Sequence, residues 1–351
     1  MTAAASSYAA LPADLRADRS IIVSLWASNL GHAERRQDKF DWFYLRNPAG
    51  LPHVLLAHSP APDGPAVGVI GLAGREMQFD GQALRAGLLA DFGVLAEHRT
   101  LYPALLLQTA LRDRFLPQFG LIYGFPNAKS EPVVRRLGYT PAGAMVRYVR
   151  VLRSASYLPA RLPHALRLAL GQTADWWRHA WRRRRYAHDF SGVFAQWLDQ
   201  PDARFDALWA AQRQRDGLIG VRDQRYLAWR FEHKPWKTFR FLALSRRTGG
   251  LLAYAVTEIA GGVLHVRDLL WHPQAPEAID LLFDTLFRDA RSDGRSSVSF
   301  EFLGCPPLQH AVHRLGMVAR GQRPVMYLPG DGQPPGIRTA AWYLTNADED
   351  S

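Results

Sequence analysis

The chain of 351 residues contains a single cysteine, Cys305, so no disulfide can form within it and a reducing compartment is expected. No stretch approaches the ~18 uncharged apolar residues that a membrane span requires. There is no CxxC, no HExxH and no glycine-rich Lys-Ser/Thr loop, so zinc-finger, zincin and Walker-type chemistry lack support and no metal is expected. The opening residues, MTAAASSYAALPADLRADRS, have neither a basic n-region nor an apolar h-region, and a cytoplasmic location is the expectation. Glycine is also missing where it would be most telling. The run DFGVLAEHRTLYPALLLQTALRD reads strand, loop, helix, an arrangement suited to holding phosphate, yet its loop from His98 to Ala104 has none.

What is present is a globular composition, 48% hydrophobic and 21% charged, in a chain long enough for two domains. The formal charge of +11 favours polyanionic partners, although much of the excess is arginine.

The chain repeats itself. Residues 42–48 read WFYLRNP and residues 229–235 read WRFEHKP, each closing a helical segment and each followed by apolar strand-like runs. Asp91 lies in the strand-like run LLADFGV, and Asp268 in HVRDLLW. Each leads through a helix to a strand (LIYGF; SVSFEF) and then to a Leu-Gly pair ending at Gly138 or Gly316. The interval between the two aspartates equals that between the two glycines to within one residue. A tandem duplication of one α+β domain follows, with boundaries at 1–152, 153–200 for a basic helical connector, and 201–351. In the connector, Leu166, Leu170, Trp177 and Trp181 recur at helical spacing and Arg182 to Arg185 supply a basic end. Residues 161–190 therefore suit either a packed linker or a contact with an anionic membrane or nucleic acid.

The repeat unit, with its acidic strand, loop, helix, strand and Leu-Gly helix end, resembles the GNAT acyltransferases. The expected fold class is α+β with a mixed sheet, as two tandem GNAT-like domains. In the first copy Val94, Ala96 and Arg99 match the family's strand exit. Arg99 and Ala104 match the ends of its phosphate loop, where Tyr102 replaces the middle glycine. Asn127 and Gly138-Tyr139 match downstream positions. The resemblance implies acetyl-CoA or another acyl-CoA as co-substrate, held by Val94, Leu95, Ala96, Arg99, Thr100, Leu101, Tyr102, Ala104 and Asn127. Pro103 is expected to open the helix, where its missing N–H costs little. Direct attack of an amine on the thioester needs a base and a proton donor for the thiolate. Asp91 and Glu97 are the basic candidates. The family's proton-donating tyrosine falls on Val134 here and Val312 in the second copy, which leaves Tyr123 and Tyr139 as substitutes. The loop from Asp268 to Pro276 is shorter than that from Asp91 to Pro103 and carries no arginine, so the first copy is expected to hold the cofactor. The second would shape the acceptor site or stabilise the pair.

The resemblance points to an N-acyltransferase acting on a small-molecule amine such as an amino sugar, in cell-envelope or exopolysaccharide biosynthesis. A Fem-type transferase using aminoacyl-tRNA and a non-catalytic ligand-sensing scaffold are the alternatives. Cys305 is expected to be a small buried or turn residue, and Trp42, Tyr44, Trp229 and Phe231 to serve helix packing. The sequence carries no sign of the oligomeric state.

Overall fold

The computed structural model describes residues 8–29, 33–154, 192–247 and 249–350. Two hairpins set its frame, and both are legible in local chemistry. Asp80-Gly81 links β3 (Ala66–Phe79) to β4 (Gln82–Val94), and Gly261-Gly262 links β10 (Leu251–Ala260) to β11 (Val263–Trp271). All four turn residues have positive φ, 45° and 80° in the first turn, 56° and 75° in the second. This is the two-residue turn whose twist matches that of the strands it joins. The long apolar runs on either side bury on both faces, as a central sheet covered by helices requires.

Among the described residues the remaining strands extend this frame into one sheet of 14 strands. In the first half they are β1 (Ala9–Pro12), β2 (His53–His58), β5 (Leu121–Gly124) and β6 (Thr140–Val151). In the second they are β7 (Val193–Leu198), β8 (Leu218–Gly220), β9 (Arg240–Arg246), β12 (Ser297–Leu303), β13 (Val318–Pro329) and β14 (Trp342–Thr345). The main order is β1-β2-β3-β4-β5-β13-β6-β12-β11-β10-β9-β7. The halves mirror each other about the β13–β6 pair, and each gives its final long strand to the other. β6 pairs with β12 and β13, while β13 pairs with β5 and β6, all antiparallel. A cut near residue 152 therefore divides the sequence repeat but not the sheet.

The expected connector needs a second correction. Its final part is strand β7, which pairs antiparallel with β9 at the sheet edge, from Val193↔Arg246 to Leu198↔Phe241. The amphipathic stretch at 161–190 lies outside the described residues.

The repeated Trp motif builds the seam between the halves. Trp42 sits on a π-helical turn, Phe40–Leu45, and Trp229 on another, Ala228–Glu232. Their rings stack with centroids 5.0 Å apart. Trp42 Nε1 donates to the Trp229 carbonyl at 2.7 Å, and Trp229 Nε1 donates back to the Trp42 carbonyl at 3.1 Å. Both rings are buried, so each indole gains its apolar contact while its one polar atom stays satisfied. For Trp42 and Trp229 the expected packing role is what the structure shows.

Candidate active site

The site begins where two strands part. β4 and β5 run parallel and pair from Ala86↔Leu121 to Leu88↔Tyr123. β4 then continues six residues further, to Val94, while β5 ends at Gly124. A cavity of 220 Å³ occupies this wedge, with Leu89 to Phe92 on one side and Gly124 to Asn127 on the other.

Asp91 lies at the mouth of the wedge because β4 bulges there. Val69 pairs with Gly93 but Gly71 with Ala90, so β4 holds one residue more than β3 across this step. Asp91 takes φ 50°, a left-handed conformation that aspartate tolerates better than most residues. The bulge turns its carboxylate toward the helix carrying the Trp motif. Lys39 Nζ donates to Asp91 Oδ1 at 2.6 Å and the Tyr44 hydroxyl donates to Oδ2 at 2.9 Å. Gly71 makes room for this contact, since a Cβ there would lie 2.4 Å from the Tyr44 oxygen. Lys39 also reaches Asp350, at 3.5 Å, and Asp350 lines the same cavity.

The proton affinities of the two carboxylates are shifted in opposite directions. Burial outweighs Lys39 at Asp91 and raises its pKa above the ordinary carboxylate value. Asp350 is also opposed by burial, but Lys39 and backbone donors hold its pKa below that value. Burial would lower the Lys39 pKa, yet Asp91 and Asp350 together raise it, so the ammonium persists. Burial, followed by the charge of Asp91, pushes Tyr44 well up and keeps its proton in the hydrogen bond. Asp91 thus has raised proton affinity beside a carboxylate that stays ionised, and Lys39 is the counter-charge the two share.

The second copy has the same wedge, filled. β11 and β12 pair from Val263↔Ser297 to Val266↔Phe300 and then separate. The chain's own β14 enters, pairing with β12 through Phe302↔Thr345 and Leu303↔Leu344. Tyr343 donates to the Leu269 carbonyl at 2.5 Å, and Thr345 Oγ1 donates to Asp268 at 2.6 Å. Asp268 also accepts from Arg222 at 3.0 Å and Tyr254 at 2.7 Å, and it is fully buried.

No protein-family model and no curated protein matches this sequence. Solved structures do match. A GCN5-related N-acetyltransferase from Anabaena variabilis ATCC 29413 superposes with TM-score 0.62 at 13% identity, over 91% of this chain and 72% of that one. A probable N-acyltransferase of unknown function from Enterococcus faecalis V583 gives 0.60 at 12% identity, over 93% and 74%. Saccharomyces cerevisiae N-myristoyltransferase with bound myristoyl-CoA gives 0.56 at 11% identity, over 95% and 85%. The chain has the GNAT fold.

Within this GNAT fold the expected site residues separate into groups. Asp91 and Asn127 both line the wedge. The Asn127 side-chain oxygen accepts from the Lys129 and Ser130 amides, each at 3.0 Å, and so shapes the turn into the helix Glu131–Arg136. Val94 and Leu95 close β4, with the Leu95 amide bonded to the Val67 carbonyl. Ala96, Glu97 and His98 form a short 3-10 turn, with Ala96 and Glu97 exposed and outside the cavity lining. Arg99 folds back, Nε donating to the Val94 carbonyl at 3.0 Å.

Thr100 caps the helix Leu101–Phe115, so Pro103 is its third residue and not its first, as the sequence had led us to expect. The physical reason is that Thr100 already takes the extended backbone of a cap, which starts the helix two residues earlier. Leu101 and Tyr102 thus occupy the first turn, where N–H groups point away from the helix ladder, and Ala104 stands where the ladder begins. Tyr102 is half exposed and its ring lies 5.9 Å from that of Tyr8. Tyr123 is fully buried on β5, and its hydroxyl donates to the Asp348 carbonyl at 2.8 Å. It therefore braces the C-terminal segment and does not line the cavity.

Sequence reasoning missed Lys39, Tyr44 as a partner of Asp91, Asp350 and Gln108. Tyr44 stood inside the repeated motif, but only the fold shows that its hydroxyl leaves the aromatic seam. Cys305 is half-buried at the start of the helix Pro306–Arg314, with Arg215 donating to its sulfur at 3.2 Å. Among the described residues no group of His, Cys, Asp and Glu could hold a metal, and no helix is long and apolar enough to cross a membrane.

Proposed function

We propose that the chain is an acyl-CoA-dependent N-acyltransferase whose donor enters the wedge between β4 and β5 of the first copy. The observation that carries this reading is the open cavity at a parting strand pair with Asp91 of raised proton affinity on its wall. Beyond Leu88, the β4 backbone faces the wedge without a β5 partner and can direct N–H groups at a thioester oxygen. Asp91 takes the proton of an incoming ammonium, directly or through a water. The amine then attacks the thioester carbon, the C–S bond breaks, and the second N–H proton passes to the leaving thiolate to give CoA and the amide. Asp350 adds a second negative charge beside the attack path, which favours a cationic, small-molecule amine. An amino sugar of a cell-envelope or exopolysaccharide precursor is the first acceptor class to try.

Ligand binding without transfer is a second reading, favoured by one feature. Val134 lines the cavity and Tyr123 is locked elsewhere, so neither supplies a proton to the thiolate, and of the expected substitutes only Tyr139 lines the cavity. The experiment that separates the readings is a thermal-shift series with CoA, acetyl-CoA and longer acyl-CoAs, followed by thiol release with an amine panel. Stabilisation with turnover supports the enzyme, stabilisation without turnover supports the binding module, and no shift with any CoA ligand overturns both.

A further inference from the structure

On the helix side the wedge backs onto an apolar core that includes Leu107, Leu111 and Ile122, and from which Val134 and Met326 reach the cavity. Two polar side chains join them there. Gln108, on the helix Leu101–Phe115, and Tyr139, just after the helix Glu131–Arg136, are each only 3% exposed, and both line the cavity. Gln108 Oε1 and the Tyr139 hydroxyl have no hydrogen-bond partner among the described residues. Burying such an atom unmatched costs about 1–3 kcal/mol, so a folded chain rarely keeps two beside one cavity without a use for them.

From this pair we infer that the wedge contains a polar recognition subsite, in which Gln108 and Tyr139 together bind an amide or hydroxyl group of the donor-site ligand. The inference rests on the acyl-CoA reading of the wedge. A carboxamide offers both a donor and an acceptor, and so does a phenol, which burial keeps protonated. Together they match a group that both gives and accepts a hydrogen bond, and they penalise a plain alkyl segment in the same place. Two parts of an acyl-CoA carry that chemistry, the amides of the pantetheine arm and a hydroxyl-substituted acyl group.

The test compares wild type with Gln108→Leu and Tyr139→Phe by calorimetric titration of CoA, butyryl-CoA and 3-hydroxybutyryl-CoA. If the subsite reads the pantetheine arm, each variant weakens all three ligands alike, by about 5–150-fold. If it reads the acyl group, only 3-hydroxybutyryl-CoA is weakened. Melting temperature supplies the control. Replacing an unmatched buried polar atom with an apolar group of similar shape is neutral or stabilising, so both variants should melt at or above the wild-type temperature. A fall in melting temperature with unchanged affinities would make the pair structural and overturn the inference. So would affinities within twofold of wild type for every ligand. If wild type itself binds no CoA ligand, the acyl-CoA reading fails first and the subsite falls with it.

Discussion

Two copies of one fold meet in this chain, and they differ most at the point where each sheet parts. In the first, the wedge beyond Leu88 stays open and its aspartate lines a cavity. In the second, the wedge beyond Val266 is closed by β14, and its aspartate is buried among Arg222, Tyr254 and Thr345. A parted strand pair leaves backbone donors and acceptors that must be matched by something. The second copy matches them with its own chain through β14; in the first they border the cavity, which is where the proposed donor would enter. The same C-terminal segment serves both ends. After filling the second wedge it runs back to the first, where Asp348 pairs with Arg75 and Arg222, and Asp350 reaches Lys39.

The sharpest way to test the contrast is to exchange the two aspartates for asparagine. Asp91→Asn should lower kcat/KM by about 10²–10⁴-fold while CoA affinity stays within a few-fold, because the change removes a proton acceptor and not a cofactor contact. In wild type the rate should rise with pH through a limb displaced above the ordinary carboxylate range, since burial raises the Asp91 pKa. That limb should vanish in the variant. Asp268→Asn should change stability instead and leave the pH profile in place. A profile that moves with Asp268 and not with Asp91 would invert the assignment.

Next in size is the charge network that holds the filled copy. Arg222 is fully buried and donates to Asp268 at 3.0 Å and to Asp348 at 2.5 Å. Arg222→Met leaves two buried carboxylates short of a partner and should cost about 3–5 kcal/mol in urea unfolding. Burial opposes the charge on Asp348, but Arg222 and Arg75 hold its pKa below the ordinary value. Its contribution is therefore present above the unfolded carboxylate pKa and lost as pH falls through the folded one. The variant should show a shallower loss of stability over that acidic range.

A smaller effect isolates the plug. Thr345→Val removes the 2.6 Å bond to Asp268 and the cap on the Ala347 amide, and should cost about 1–3 kcal/mol. Acyl-CoA affinity at the first copy should not change. If it falls tenfold, the C-terminal segment couples the two wedges more tightly than the separate hydrogen bonds indicate.

Much of this contrast could be read from the sequence, and the unread part has a physical reason. The repeat, the two aspartates and the poorer loop of the second copy were visible because local patterns carry them. Asp80-Gly81 and Gly261-Gly262 fix their hairpins through backbone preference alone. The exchange of β6 and β13 was not visible, since strand pairing between halves is set by the assembled sheet and not by a local pattern. WYLT, the plug, is a four-residue apolar run with no period to mark it, and its role depends wholly on what it pairs with. Arg99 matched a family position, yet its Nε donates to the carbonyl of Val94. A motif match fixes the residue but leaves its partner open.

The smallest predicted effect lies at the seam between the copies. Lys234 is almost completely buried, its Nζ 4.9 Å from the Trp42 ring centroid and 5.3 Å from that of Trp236. Burial first, and then repulsion from Arg230, Lys237 and Lys39, lowers its pKa well below the ordinary lysine value of 10.5, with Glu258 opposing this weakly. A group that is harder to protonate when folded destabilises the fold wherever the unfolded chain carries the proton. Stability should therefore rise as pH climbs from the folded pKa toward the unfolded one. Lys234→Met keeps the aliphatic stem against the aromatic rings and removes the charge. It should stabilise the protein at neutral pH, on the order of 1 kcal/mol, and flatten the rise toward alkaline pH. Destabilisation at neutral pH would mean that the aromatic faces repay the buried cation in full, and that the seam uses Lys234 as a cation–π tie between the copies.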